Sequence, residues 1–183
     1  MTAYIVCEGS CDVALLKRLL PEAFGSDVKI VEAGGFSAAK SLARSLIVRR
    51  QSPVAILADA DTVIPEQVEQ RLKDTEEILG NVAVNTPVKV ILATPALDII
   101  FFQDISLLVR LLGYIPSTEI LNLASYQPQQ VLKQLISQSA NVQSSDQLVE
   151  SLTHEDIEIL RQSPVIQDVI QFLQEVQETA YAL

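Results

Sequence analysis

Four short apolar runs, Tyr4–Cys7, Val28–Val31, Val54–Ala58 and Val88–Ala93, alternate with longer stretches of helical periodicity, and this alternation leaves the chain few folds. The runs are strand-length. The third is apolar without a break, as expected of a strand covered on both faces. Strands separated by helices imply crossover connections and a parallel sheet with helices on both sides. The fold class read from this is α/β: a Rossmann-like parallel sheet of about four strands flanked by helices.

The intervening helices carry their own signals. Ser10 is placed to cap a first helix, with Asp12 in its first turn, and Pro21 follows its end. Ser37 is placed to cap a second, running to about Val48. Pro65 suits the first turn of a third, Glu66–Leu79. Behind Thr94-Pro95, the run Ala96–Leu112 reads as one strongly apolar helix.

From Pro116 onward strand-like runs vanish. Helices are expected near Ser117–Ala124, Pro128–Ser137, Ser145–Leu152, Thr153–Gln162 and Pro164–Thr179, all with Leu, Ile and Val at three- and four-residue spacing. The reading is an α/β domain over residues 1–115, and a helical extension over 116–183 that packs on it or on a partner. The last helix is expected to cover the sheet or to form a contact with a second copy. No apolar run approaches ~18 residues, and the N-terminus passes directly into a strand, so a cytoplasmic protein without a membrane span is expected.

Acidic residues stand where strands run out. Glu8-Gly9 follows the first, Asp59-Ala60-Asp61 closes the third, and Asp98 follows the fourth. Ligands bind outside the carboxyl ends of the strands in open α/β sheets. If the first and third strands are neighbours, Glu8, Asp59 and Asp61 converge there, with the two aspartates expected to point to the same side. Three carboxylates in one place repel unless protons or a cation neutralise them. Hard oxygen donors on a semi-open edge suit Mg²⁺ or Mn²⁺. The plainer reading of such residues is helix caps or solvated turns.

Charge argues against a general nucleic-acid binder. The net charge is −10; residues 1–60 hold 7 basic and 6 acidic side chains, and residues 61–183 hold 6 and 17. The basic face that displaces counterions is at most a strip, Lys40, Arg44, Arg49 and Arg50, within a stretch from Ala33 to Ala58 that has no acid. Cys7 and Cys11 form neither a disulfide framework nor a redox motif and are expected to be buried small hydrophobes. His154 is expected to be solvated at a helix start, with no zinc site around it.

Glu-Gly after a first strand and Asp-x-Asp after a third resemble the Toprim domain, the magnesium-binding module of topoisomerases, primases and several nucleases. The resemblance covers about residues 1–100. It implies that Glu8 acts as general acid or base and that Asp59 and Asp61 bind the metal. Asp12 fits the acidic residue that often follows the Glu-Gly turn, and Gly34-Gly35 resembles the glycine turn after the second strand. Asp98 is similar to an acidic residue after the fourth strand in nucleases related to the overcoming-lysogenisation-defect proteins, where a second metal binds; those usually carry glutamate. The dehalogenase-type phosphatases also use Asp-x-Asp, but on their first strand.

Within the Toprim class, one His and two Cys exclude the zinc-bearing primases and recombination mediators, and there is no room for the large tyrosine-bearing domain of topoisomerases. The small ribonuclease that matures 5S ribosomal RNA has a glycine and a basic residue after its Asp-x-Asp, where this chain has Thr62-Val63. A stand-alone, nuclease-like hydrolase is what the resemblance implies. Its substrate would be a nucleic acid or a small phosphoester, bound by Gly9, Asp12, Gly34, Gly35, Lys40 and Arg44. The charge asymmetry and apolar C-terminal helices point instead to a Toprim-like binding module or subunit, acting through a protein partner or as a homo-oligomer.

Overall fold

The computed structural model describes residues 2–181. The strands are β1 (Ala3–Cys7), β2 (Val28–Glu32), β3 (Val54–Asp59) and β4 (Val88–Ala93), and all three pairings are parallel. The order is β2-β1-β3-β4, so the first and third strands are the central neighbours. Tyr4 of β1 stands opposite Val54, and Cys7 opposite Leu57. The acidic residues after these strands therefore emerge at one edge.

Alternation along each strand divides the core in two. Ile5, Cys7, Ala55, Leu57, Ile91 and Ala93 face one layer, and Tyr4, Val6, Val54, Ile56, Ala58 and Val90 face the other. The second layer is covered by α2 (Phe36–Arg50) and α3 (Pro65–Gly80), whose Ala39, Ala43, Ile47 and Leu79 are buried there. The first layer is covered by α1 (Ser10–Leu19) and by most of the C-terminal helices.

After β4 the chain makes a 3₁₀ segment, Leu97–Phe102, and then α4 (Ile105–Leu112). The single helix expected over Ala96–Leu112 is thus broken at Gln103-Asp104. Asp104 is the reason: its carboxylate accepts the Leu107 N–H at 2.9 Å and starts a new helix. An aspartate cap inside an apolar run is easily missed by periodicity alone.

The remaining helices are α5 (Thr118–Ala124), α6 (Pro128–Gln138), α7 (Ser145–Glu150), α8 (His154–Arg161) and α9 (Pro164–Tyr181). The last of these lies on the sheet: Ile166, Val169, Phe172, Leu173 and Val176 join the first core layer against β3 and β4. Arg18 donates to the Leu152 carbonyl, and Arg161 donates to the Leu19 carbonyl at the end of α1. Arg161 at the carbonyl end of α1 complements that helix's dipole, and the two bonds pin the helical part to α1. His154 is exposed at the start of α8, as expected; Cys7 is buried but Cys11 is exposed, because α1 turns it away from the sheet. No helix among the described residues is long and apolar enough to cross a membrane.

Leu132 of α6 is 1% exposed and packs in the first layer. Leu132→Ala should cost about 2–5 kcal/mol, read as a lower urea midpoint at unchanged m-value. A loss well under 1 kcal/mol would contradict this packing of α6.

Candidate functional site

The carboxyl edge of the sheet is held together by acidic side chains acting on backbone. The Glu8 carboxylate accepts the Asp59 N–H at 2.9 Å, bridging the ends of β1 and β3. Asp59 in turn accepts the Leu97 N–H at 2.9 Å, tying β3 to the segment after β4. Asp12 accepts the Gly9 N–H at 3.1 Å. Ser10 is therefore not the cap of α1: Gly9 occupies that position, and Asp12 reaches back to its backbone. Likewise Gly35, not Ser37, precedes α2.

Glycine is required at that second turn. Gly34 and Gly35 have φ of 85° and 114°, and their N–H groups both donate to the Glu8 carbonyl, at 2.9 and 3.0 Å. The turn after β2 is thereby fastened to the turn after β1. The space where a Cβ would stand on either glycine is open.

Glu8, Asp12, Asp59 and Asp98 form one electrostatic group. Burial first, then the charges of Asp12, Glu8 and Asp98, push the Asp59 carboxyl up to about 7, against the pull of the Leu97 N–H. Burial also dominates at Asp12, with Asp98, Glu8 and Glu32 adding repulsion, and raises it to about 6 against the Gly9 N–H. Asp98 is raised by burial, while its own backbone N–H and the Lys133 ammonium lower it. Cys7, below the cluster, is held as the neutral thiol by burial and by Asp12.

Asp61 is placed apart from this group. The strand ends at Asp59, and Asp61 takes a left-handed conformation (φ 56°), its N–H donating to the Pro95 carbonyl. The two-residue alternation that would align its side chain with Asp59 does not continue past the strand. Its carboxylate instead pairs with Arg71 of α3 at 3.0 Å. Lys40 is half-buried on α2 near Phe36, and Arg44 is exposed one turn further along.

One cation near the cluster escaped the sequence reading. Lys133, on α6, lies in the recess that also contains Asp12 and Asp98. Nothing in the sequence near Lys133 marks it, because it is brought to the edge by packing of the helical part. As donors, the four carboxylates suit a hard divalent ion in chemistry and charge. Among the described residues, no group of three or more His, Cys, Asp or Glu side chains is gathered closely enough to hold a metal.

No family model matches the sequence, and no curated protein matches it. In three dimensions the chain is similar to the C-terminal region of the Xanthomonas campestris pv. campestris OLD protein, with a TM-score of 0.55 and 16% identity. The alignment covers 99% of this chain and 98% of that one. At this identity the likeness shows a shared fold over the whole length.

The raised carboxyls set a pH dependence. An acid whose pKa is raised on folding holds its proton more tightly in the folded state, so its stabilising contribution is complete below the ordinary aspartate value and is lost as pH rises through the folded pKa. For Asp12 and Asp59 that loss runs up to about 6 and about 7. The metal-free protein should melt at progressively higher temperature as pH is lowered from 8 to 5. Asp59→Asn should flatten the upper part of that slope. A melting temperature that stays level or climbs with pH across this range would contradict the burial and crowding of these carboxyls.

Proposed function

We propose that this chain is a divalent-cation-dependent phosphoryl-transfer protein of Toprim type, a hydrolase acting on a phosphodiester in a nucleic acid or on a small phosphoester. The observation that carries the reading is the acidic edge: half-buried acidic residues follow β1, β3 and β4, and Asp59 and Asp12 of α1 are near enough to the others to be repelled by their charge. Such an arrangement is costly to the fold and is common where a protein binds a cation or tunes an acid for catalysis. The fold shared with the C-terminal region of an OLD protein supports it, as does the resemblance of Glu8-Gly9 and Asp59-Ala60-Asp61 to the Toprim motifs.

In this reading Asp59 and Asp98 would hold Mg²⁺ or Mn²⁺, and Asp61, if released from Arg71, would be a further ligand. A bound divalent ion supplies an acidified water and charge stabilisation on the phosphoryl group. Glu8 is fixed by the Asp59 N–H and moves a proton at its other oxygen. Asp12 is steadied by Gly9 and adds negative charge to the site. Gly34 and Gly35 leave open space in which a phosphate can approach backbone. Lys133 offsets part of the negative charge from the helical side. Lys40 and Arg44 stand on the acid-free strip as candidates for phosphate contact. A cytoplasmic setting agrees with this chemistry.

A second reading is favoured by Asp61. Its ion pair with Arg71 leaves the acidic edge without a third gathered ligand, as in a Toprim-like module that binds a protein partner, or a second copy, and does no chemistry.

Labelled single- and double-stranded DNA and RNA, and a chromogenic phosphodiester, incubated with Mg²⁺ or Mn²⁺ distinguish the two. Cleavage should appear with the ion, and Glu8→Gln should lower kcat by about 10²–10⁴-fold. Cleavage that survives Asp59→Asn together with Asp61→Asn would rule out the mechanism. In parallel, millimolar Mg²⁺ at pH 8 should raise the melting temperature by at least about 2 °C. An unmoved melting temperature and no turnover would favour the binding module.

A further inference from the structure

A shallow groove lies between α2 and α3, on the face of the sheet opposite Lys133, and is built on the Phe36 ring. Two cations converge on that ring: the Arg71 guanidinium at 4.2 Å and the Lys40 ammonium at 4.7 Å from its centroid. A ring attracts a cation without neutralising it, so both charges remain available to an anion. Lys40 has no carboxylate within ion-pair reach among the described residues.

Arg71 is held in place but incompletely bonded. It donates to the Ala60 carbonyl at 3.2 Å and to Asp61 at 3.0 Å, while its Nε is enclosed without an acceptor. Its counter-ion Asp61 is 67% exposed, and an ion pair so placed is weak and exchangeable. The other carboxylate of the groove, Asp74, takes a hydrogen bond from Gln70. Through Asp61 and Ala60 the groove adjoins the end of β3, where Asp59 sits.

We propose that Arg71 and Lys40, steadied on Phe36, form an anion subsite that takes a phosphate of the substrate neighbouring the one at the acidic edge, and that Asp61 gives up Arg71 as that phosphate arrives. The identity of the anion rests on the phosphoryl-transfer reading. A guanidinium offers paired donors that match phosphate oxygens, and a lysine one helical turn from the ring adds a mobile charge. Arg44 is outside the groove, so Arg71, not Arg44, is the partner of Lys40. The exchange also frees Asp61 to turn toward Asp59.

The test measures binding in EDTA, where no metal-dependent cleavage intervenes. One arm follows the fluorescence anisotropy of a labelled ten-residue oligothymidylate, and the other follows thermal shift with inorganic pyrophosphate. Lys40→Gln and Arg71→Gln should each weaken binding by about tenfold in at least one arm, and the responsive arm tells a strand from a small phosphoester. For the oligonucleotide, the slope of log Kd against log salt should fall by about one per cation removed. Asp61→Asn should tighten binding by removing the competing carboxylate, and Lys29→Gln, on the edge strand β2, should change nothing. Circular dichroism melts check that the variants fold, and Lys40, whose amine makes no hydrogen bond among the described residues, is the safer of the two sites.

Wild-type affinity in Lys40→Gln and Arg71→Gln, equal loss in Lys29→Gln, or no binding in either arm overturns the subsite. If cleavage depends on Asp59 while Lys40→Gln and Arg71→Gln bind as wild type, the subsite falls and the phosphoryl-transfer reading stands. Loss of binding in those two variants, with no turnover under any condition, leaves the subsite and removes the catalysis.

Discussion

The Glu8 carboxylate, accepting the N–H of Asp59, is the contact on which the candidate site depends. Parallel pairing brings the ends of β1 and β3 side by side but leaves the backbone donors beyond the last rung without partners. A side chain from one strand end supplies that partner, and Asp59 does the same for Leu97 after β4. The acidic residues thus order the edge of the sheet while crowding it with negative charge. Backbone donors lower the cost of each carboxylate, yet burial outweighs them at Asp59 and Asp12, which remain raised. Structure and chemistry are coupled at the same atoms.

The two sides of the edge differ in charge and origin. On one side the helical part brings Lys133 near Asp98; on the other, α2 and α3 bring Lys40 and Arg71 to Phe36. Cations flanking an acidic centre would offset its repulsion of the proposed phosphate substrate. Most of the net charge of −10 is carried by the part of the chain after residue 60, which holds 17 acidic side chains against 6 basic ones.

Much of this was legible in sequence because it follows from short-range rules. Apolar runs of strand length placed all four strands within a residue or so, and strand ends located Glu8, Asp59 and Asp98. What was not legible depends on competition among side chains. Gly9 rather than Ser10 begins α1 because Asp12 reaches back to cap it, and Asp104 splits an apolar stretch that periodicity reads as continuous. Asp61 departs from strand alternation because β3 has already ended and the left-handed turn delivers its carboxylate to Arg71. Lys133 and Arg71 reach the edge only through helix packing, which no local pattern records.

The central proposal is that the raised carboxyls of the edge take a divalent cation. Isothermal titration of the metal-free protein with Mg²⁺, repeated in buffers of different ionisation enthalpy, tests it directly, because an ion displaces protons only from groups that hold them. The account predicts binding that releases protons near pH 6.5, where Asp59 and Asp12 are partly protonated, and releases fewer near pH 8.5. Absence of binding, or binding with no proton release at either pH, would contradict it.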